Sequence, residues 1–156
     1  MALRGEDGLK ISSRDIRRLL QQGDVAAAAE LLGRPYQLTG EVVTGRQLGR
    51  TIGFPTANLA VHPRKIVPAH GVYAVVATVA EQRYPAVLNI GLRPTVSGEG
   101  ESIEVHLLDF TGDLYGADLT VEFVSRLRAE RKFADLPALQ AQIARDVLAA
   151  RERLSG

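Results

Sequence analysis

The sequence predicts a mainly β protein: a small antiparallel barrel of the Greek-key or split kind, with an N-terminal helical hairpin and a C-terminal helix. Three observations predict it. From residue 38 to residue 127, about five or six strand-like segments follow one another with no helical period between them. That order argues against parallel βαβ units and a Rossmann sheet, and for a closed antiparallel arrangement. Helical spacing of apolar residues is confined to the two ends of the 156-residue chain, which is one domain in length and long enough to bury a core.

The elements follow in order. Residues 1–10 have no periodicity and read as a loose leader. Ser12-Ser13-Arg14-Asp15 has the form of a capping box, with Ser12 as N-cap and Asp15 reaching back. Ile16, Leu19 and Leu20 then form an apolar stripe at helical spacing. Gly23 stops that helix and Asp24 can cap the next one, "VAAAAELL", which Gly33 ends with Pro35 just beyond. Residues 12–33 therefore read as a helical hairpin. The chain divides into a leader and connector at 1–33 and a barrel domain with its closing helix at 34–156.

"YQLTGEVVTG" (from Tyr36), "GVYAVVATVA" (71–80) and "RYPAVLNIG" (83–91) carry strand composition, and the short Ala80-Glu81-Gln82 link predicts a hairpin between the last two. "NIGLRPT" (89–95) reads as a connection. "ESIEVHLLDF" (101–110) alternates, with Ile103, Val105 and Leu107 on one face and Glu104, His106 and Leu108 on the other. "TGDLYG" (111–116) is turn material, and "ADLTVEFVSRL" (117–127) alternates again. "RLRAERKF" (126–133) is a basic cluster expected to lie between the last strand and the last helix. Asp135 caps that helix, Pro137 falls harmlessly in its first turn, and Leu136, Leu139, Ile143 and Val147 form its apolar side.

Composition excludes several classes. Apolar residues make up 46% and charged residues 24%, ordinary globular values, and the net charge is +1. Broad electrostatic adhesion to nucleic acid or to a membrane surface is not expected from that balance. With no cysteine there is no disulfide and no thiolate metal site. No apolar run approaches a membrane span and no internal repeat is visible, so a soluble protein of the cytoplasm is the expectation.

Four features bear on chemistry. Gly45, Gly49 and Gly53 fall four residues apart with Arg46 and Arg50 between them, a spacing that matches neither a dinucleotide fingerprint nor a P-loop. Glycines let several backbone N–H groups approach an anion, but a hairpin loop with solvated arginines explains the same residues equally well. Pro55-Thr56-Ala57-Asn58 follows. In an extended segment Thr56 and Asn58 face the same way and offer neutral oxygens of the kind that a hard cation accepts beside phosphate. On spacing alone, a turn in which Thr and Asn bond their own backbone is the commoner arrangement. Glu104 sits mid-strand, positioned to accept a proton from a hydroxyl, although a lone strand glutamate is more often paired across a sheet in solvent. His62, His70 and His106 show no zinc-ligand spacing. The 126–133 cluster is either a solvated loop or a flap over an anionic or aromatic ligand, in which Phe133 anchors the helix or clamps the ligand.

Taken together, "TGEVVTGRQLGRTIGFPTANL", "GVYAVVATV", "NIGLRPTV", "IEVHLLDF", "DLYGADLTVEFVSRLRAERKF" and "ALQAQIARDVLAAR" resemble the riboflavin kinases, motif by motif and in order, over about residues 34–153. The resemblance implies a small antiparallel barrel with a C-terminal helix. It also implies transfer of the ATP γ-phosphoryl to the ribityl 5′-hydroxyl of riboflavin, giving FMN and ADP, with Mg²⁺ accompanying ATP. It assigns Thr56 and Asn58 to the metal and nucleotide, Glu104 to the general base, and Gly45, Arg46, Gly49, Arg50, Gly53 and Pro55 to a flap over ATP. Leu127, Arg128, Glu130 and Phe133 fall on the flap near the flavin. Residues 11–17, "ISSRDIR", are similar to the closing I-S-S-T-R-I-R of the nucleotidyltransferase half of bifunctional FAD synthetases, with Arg14 and Asp15 replacing Thr and Arg. A nucleotidyltransferase module is thus the implied neighbour in a longer enzyme. No H-x-G-H nucleotide site occurs, so no FMN adenylyltransferase activity is expected from this chain.

The alternative is a barrel that holds flavin or nucleotide without turnover. Intact Thr56, Asn58 and Glu104 favour the enzyme. A barrel for nucleic acid is disfavoured by the near-zero net charge and the lack of strand aromatics for base stacking.

Overall fold

A computed structural model describes residues 13–43, 56–95, 98–110, 114 and 116–155. The element order is α1 (Ser13–Gln21), α2 (Val25–Leu32), β1 (Gln37–Val43), β2 (Ala57–Val61), β3 (Gly71–Val79), β4 (Gln82–Thr95), β5 (Gly98–Leu107), β6 (Asp118–Arg128) and the C-terminal helix, here α3 (Leu136–Ser155). The strands close into an antiparallel barrel in the order β1-β2-β5-β4-β3-β6. β3, β4 and β5 form a meander, while the passages from β2 to β3 and from β5 to β6 each skip two strands, the Greek-key pattern.

Period-two alternation decides what the barrel encloses. Tyr73, Val75 and Ala77 of β3, Ile103, Val105 and Leu107 of β5, and Leu119, Val121 and Phe123 of β6 all join one buried cluster. At its centre Tyr73 and Phe123 meet edge to face, ring centroids 5.3 Å apart. The Tyr73 hydroxyl donates to the Ala69 carbonyl, so the buried ring leaves no polar group unmet. The residues between these point outward. Val72, Ala74 and Val87 form a second apolar patch, which α3 covers with Ala150, Val147 and Leu154.

The helical hairpin packs on the barrel: Ile16, Leu20, Val25 and Ala28 belong to the barrel's own core cluster. Asp24 caps α2 by accepting from the Ala27 N–H at 3.0 Å, and Gly33 ends it at φ 80°. The expected Ser12 cap lies outside the described residues. Asp15 pairs with Arg18 at 3.6 Å across one helical turn. Asp135 caps α3 through the Ala138 N–H at 2.9 Å.

Three expectations need correction. "NIGLRPT" is not a connection: β4 runs on to Thr95, paired with β5 down to Thr95 opposite Gly98. The last strand, expected over 117–127, runs one residue further to Arg128, so the 126–133 cluster begins within β6 and only its later residues connect to α3. The apolar side of α3 is only half right, since Leu136 is exposed and the residues its barrel side buries most fully are Gln142, Asp146 and Ala150.

The β3–β4 hairpin forms where expected, with Ala80 and Glu81 both at positive φ, 50° and 68°. Such a two-residue turn matches the strand twist but suits Asn-Gly better than Ala-Glu. Ala80→Asn combined with Glu81→Gly is therefore expected to raise the unfolding free energy by about 1 kcal/mol. Urea denaturation reads this as a higher midpoint at unchanged slope. An unmoved midpoint would mean that the present side chains offset the backbone cost through contacts of their own.

Candidate functional site

One row of cross-strand neighbours runs over the outer wall of the barrel. Val43 stands opposite Asn58, Asn58 opposite Glu104, Glu104 opposite Asn89, Asn89 opposite Val72, and Val72 opposite Arg128. The row faces outward because its strand neighbours Leu59, Ile103, Val105, Leu88, Ile90 and Tyr73 all face the core. Residues directly opposite on adjacent strands hold their Cβ atoms ~5 Å apart, so the Asn58 amide and the Glu104 carboxylate are immediate neighbours. From Asn58 to Arg128 the row crosses four strand spacings, ~19 Å along the sheet, room for an elongated ligand.

Asn58 is buried, 5% exposed, and Glu104 is half-buried. Thr56 is half-buried one residue before β2 begins. A groove of about 390 Å³ opens beside Asn58, lined among others by Val43, His62, Lys65, Glu101 and Ser102. The connection carrying Gly45, Arg46, Gly49, Arg50, Gly53 and Pro55 lies outside the described residues. Its two ends, Val43 and Thr56, flank this groove's Asn58 wall in the chain.

His106 shares the outer face with Glu104, two residues on, opposite Val87. Burial, and then the nearby Arg151 guanidinium, push its pKa below the usual histidine range, which keeps the ring uncharged near neutral pH. Asn89, on the other side of Glu104, holds a buried side-chain oxygen that receives no hydrogen bond among the described residues. An unmet buried acceptor costs about 1–3 kcal/mol, which a donor arriving beside Glu104 would relieve.

The far end of the row is built by a strand irregularity. β6 shifts register against β3 twice, between Ala74 and Val75 and between Val72 and Tyr73. Each shift inserts one residue, so Arg126 comes to stand opposite inward-facing Tyr73 and Arg128 opposite outward-facing Val72. Arg128 there forms a two-pronged pair with Asp146 of α3, at 2.9 and 2.8 Å. The Phe133 ring lies against both Arg128 and Arg131, with guanidinium carbons 5.7 and 5.0 Å from its centroid. Leu127 packs into the apolar patch under α3. Glu130 turns back to β4. Its carboxylate lies against Gly91, where a Cβ would collide with it, and approaches His70 Nδ1 at 3.7 Å. His70 in turn meets Glu101 at 3.0 Å through Nε2.

Thus Asn58 and Glu104 are brought together, Arg128 and Phe133 are brought together at the other end of the row, and Glu130 joins a His70–Glu101 group instead. The sequence reading passed over Asn89, Gln142 and Asp146. Asn89 sat in the "NIGLRPT" stretch, and a polar pair four residues apart on an otherwise apolar helix side was the signal for the other two.

Comparison with known proteins places the chain in context. The family pattern described as Flavokinase, riboflavin kinase, matches residues 32–154. The bifunctional riboflavin kinase/FMN adenylyltransferase of Escherichia coli (strain K12) is 50% identical over 148 residues, covering 94% of this chain and 47% of that protein. The chain therefore spans about half the length of the curated relatives it matches. A crystal structure described as a macrolide-efflux protein from Streptococcus pneumoniae superposes with a TM-score of 0.87 at 40% identity, over 95% of this chain and 48% of that one. The crystal structure of riboflavin kinase from Trypanosoma brucei superposes with a TM-score of 0.57 at 27% identity, over 78% of each chain. Among the described residues no helix is long and apolar enough to cross a membrane.

Proposed function

This chain belongs to the riboflavin kinase family, and from that premise we propose that it transfers the γ-phosphoryl group of ATP to the ribityl 5′-hydroxyl of riboflavin, giving FMN and ADP. The observation that carries this reading is the direct cross-strand pairing of Asn58 with Glu104 on the outer wall. It sets a neutral oxygen donor beside a carboxylate, so that a phosphate end and a hydroxyl end can meet.

In this reading the 5′-hydroxyl lies against Glu104. The hydroxyl oxygen bonds to the γ-phosphorus as the bridging bond to the β-phosphate breaks, its proton passes to the Glu104 carboxylate, and ADP leaves. Asn89 accepts from a ribityl hydroxyl beside it, meeting its buried oxygen. The donor set suits Mg²⁺, since Asn58 and Thr56 supply an amide and a hydroxyl oxygen and leave the anionic ligands to the nucleotide. When bound, the ion would neutralise charge on the transferring phosphoryl group. Gly45, Arg46, Gly49, Arg50, Gly53 and Pro55 would cover the nucleotide phosphates with backbone N–H groups and positive charge. Arg128 and Phe133 would receive the flavin ring, while Leu127, seated under α3, and Glu130, held beside His70 and Gly91, would brace that end of the row. Covering both substrates keeps water from the phosphoryl group and limits idle ATP hydrolysis.

The domain division belongs to the same proposal: 34–156 as the kinase unit, 1–33 as a connector to a nucleotidyltransferase module, and the cytoplasm as the place of action. These residues alone would form no FAD.

The test is direct. Incubation with riboflavin, ATP and Mg²⁺ should yield FMN and ADP in equal amounts, separated chromatographically and confirmed by mass. Protein that binds both substrates but forms no FMN would overturn the enzyme in favour of a non-catalytic binding module.

A further inference from the structure

α3 carries two buried polar side chains one turn apart, Gln142 at 8% and Asp146 at 5% exposure, on the side where the helix meets the barrel. Asp146 takes both prongs of Arg128, Nε to Oδ1 at 2.9 Å and Nη2 to Oδ2 at 2.8 Å. Gln142 donates from Nε2 to the same Asp146 Oδ1 at 3.0 Å, and its Oε1 accepts from Arg131 at 3.2 Å and from Arg145 at 3.0 Å. The remaining terminal nitrogen of Arg128 donates to the Ala129 carbonyl at 3.1 Å. Two arginines of the segment leaving β6 are thus tied to one helix, and both rest on the Phe133 ring.

Stability alone does not account for this arrangement. Well-packed apolar side chains at the same positions would stabilise a helix–barrel contact as well as a buried ion pair does, because desolvation offsets most of the pair's attraction. What the charged arrangement adds is geometry. A bidentate carboxylate fixes the guanidinium plane, and a second hydrogen bond fixes the carboxylate. The support is rigid, since Val147, Ala150 and Leu154 anchor the same helix on Val72, Ala74 and Val87. With all three of its nitrogens donating to protein, Arg128 presents a flat cationic face rather than a hydrogen-bonding edge.

We propose that Asp146, braced by Gln142, is a positioning residue of the flavin side: it holds the Arg128–Phe133 segment in the geometry that receives a flat aromatic ring. The inference rests on the kinase reading for the identity of that ring.

The experiment compares the parent chain with Asp146→Asn and Gln142→Met, the latter preserving volume and helix propensity while removing the ties to Asp146 and Arg131. Riboflavin binding is read from quenching of flavin fluorescence, and steady-state kinetics are run in each substrate separately. Asp146→Asn is expected to raise both the riboflavin Kd and KM about tenfold or more, the scale of one lost charge-assisted hydrogen bond. Its kcat and its MgATP KM should stay within about threefold of the parent, and Gln142→Met should show the same split at smaller size. Folded variants whose riboflavin Kd stays within about twofold of the parent would overturn the proposal, as would an equal loss in both substrates. If Asp146→Asn fails to fold, Gln142→Met decides alone. A parent that binds riboflavin but makes no FMN sinks the kinase reading, and the binding comparison still judges Asp146.

Discussion

Glu104→Gln is expected to lower kcat by about 10²–10⁴-fold while leaving the equilibrium affinity for riboflavin within about threefold of the parent. Glutamine keeps the size of the side chain and still bonds to a hydroxyl, so the substrate should dock as before. It cannot accept the proton. The transition state of phosphoryl transfer is loose, with little charge developed on the attacking oxygen, which argues for the lower half of that range. The position makes the test clean. Glu104 stands outward between Asn58 and Asn89, while its strand neighbours Ile103 and Val105 carry the core contacts, so packing should survive the change. Steady-state turnover and fluorescence-detected binding on the same preparation separate the two effects. Unchanged turnover would remove Glu104 as the base. Lost binding with unchanged turnover at saturation would make it a docking group only.

How much of this was legible beforehand depends on the range of the interaction involved. The outward face of Glu104 followed from period-two alternation with Ile103 and Val105, a local pattern that the pleat enforces. The Ala80-Glu81 turn and the Asp135 cap were equally local. Register was not. Asn89 stands beside Glu104 only because β4 continues through "NIGLRPT", and a segment containing Gly91 and Pro94 reads by itself as a connection. The two register shifts that turn Arg126 and Arg128 to different faces leave no mark in composition, because the inserted residues are an ordinary valine and leucine. The α3 stripe misled for a related reason. Leu139, Ile143 and Val147 satisfy helical periodicity, yet the adjacent line through Gln142 and Asp146 lies deeper, because a basic strand end across the gap supplies its partners. Burial of a polar residue is a property of a pair, and the pair lies 18 residues apart in the chain.

The second large effect is expected at Asn58. Asn58→Ala should raise the KM for MgATP, and the Mg²⁺ concentration needed for half-maximal rate, by about 10–100-fold, the usual scale for groups that hold or orient a metal. Riboflavin binding measured without nucleotide should hardly change. The argument is geometric: Asn58 is 5% exposed, pinned between Val43 and Glu104 on neighbouring strands, and therefore unable to follow a ligand by rotating away. A side chain so held contributes a fixed oxygen, which a cation demanding near-ideal octahedral geometry rewards more than a mobile one. Asn58→Asp separates charge from position. It keeps the oxygen but adds a negative charge beside Glu104, and like charges at that spacing raise the cost of ionising either group. The aspartate should therefore recover metal use only in part and shift the pH dependence of kcat upward, as the paired carboxylates resist losing their protons. An unaltered Mg²⁺ requirement in the alanine variant would take Asn58 out of the metal site. Thr56 and the 44–55 connection would then have to carry the nucleotide without it.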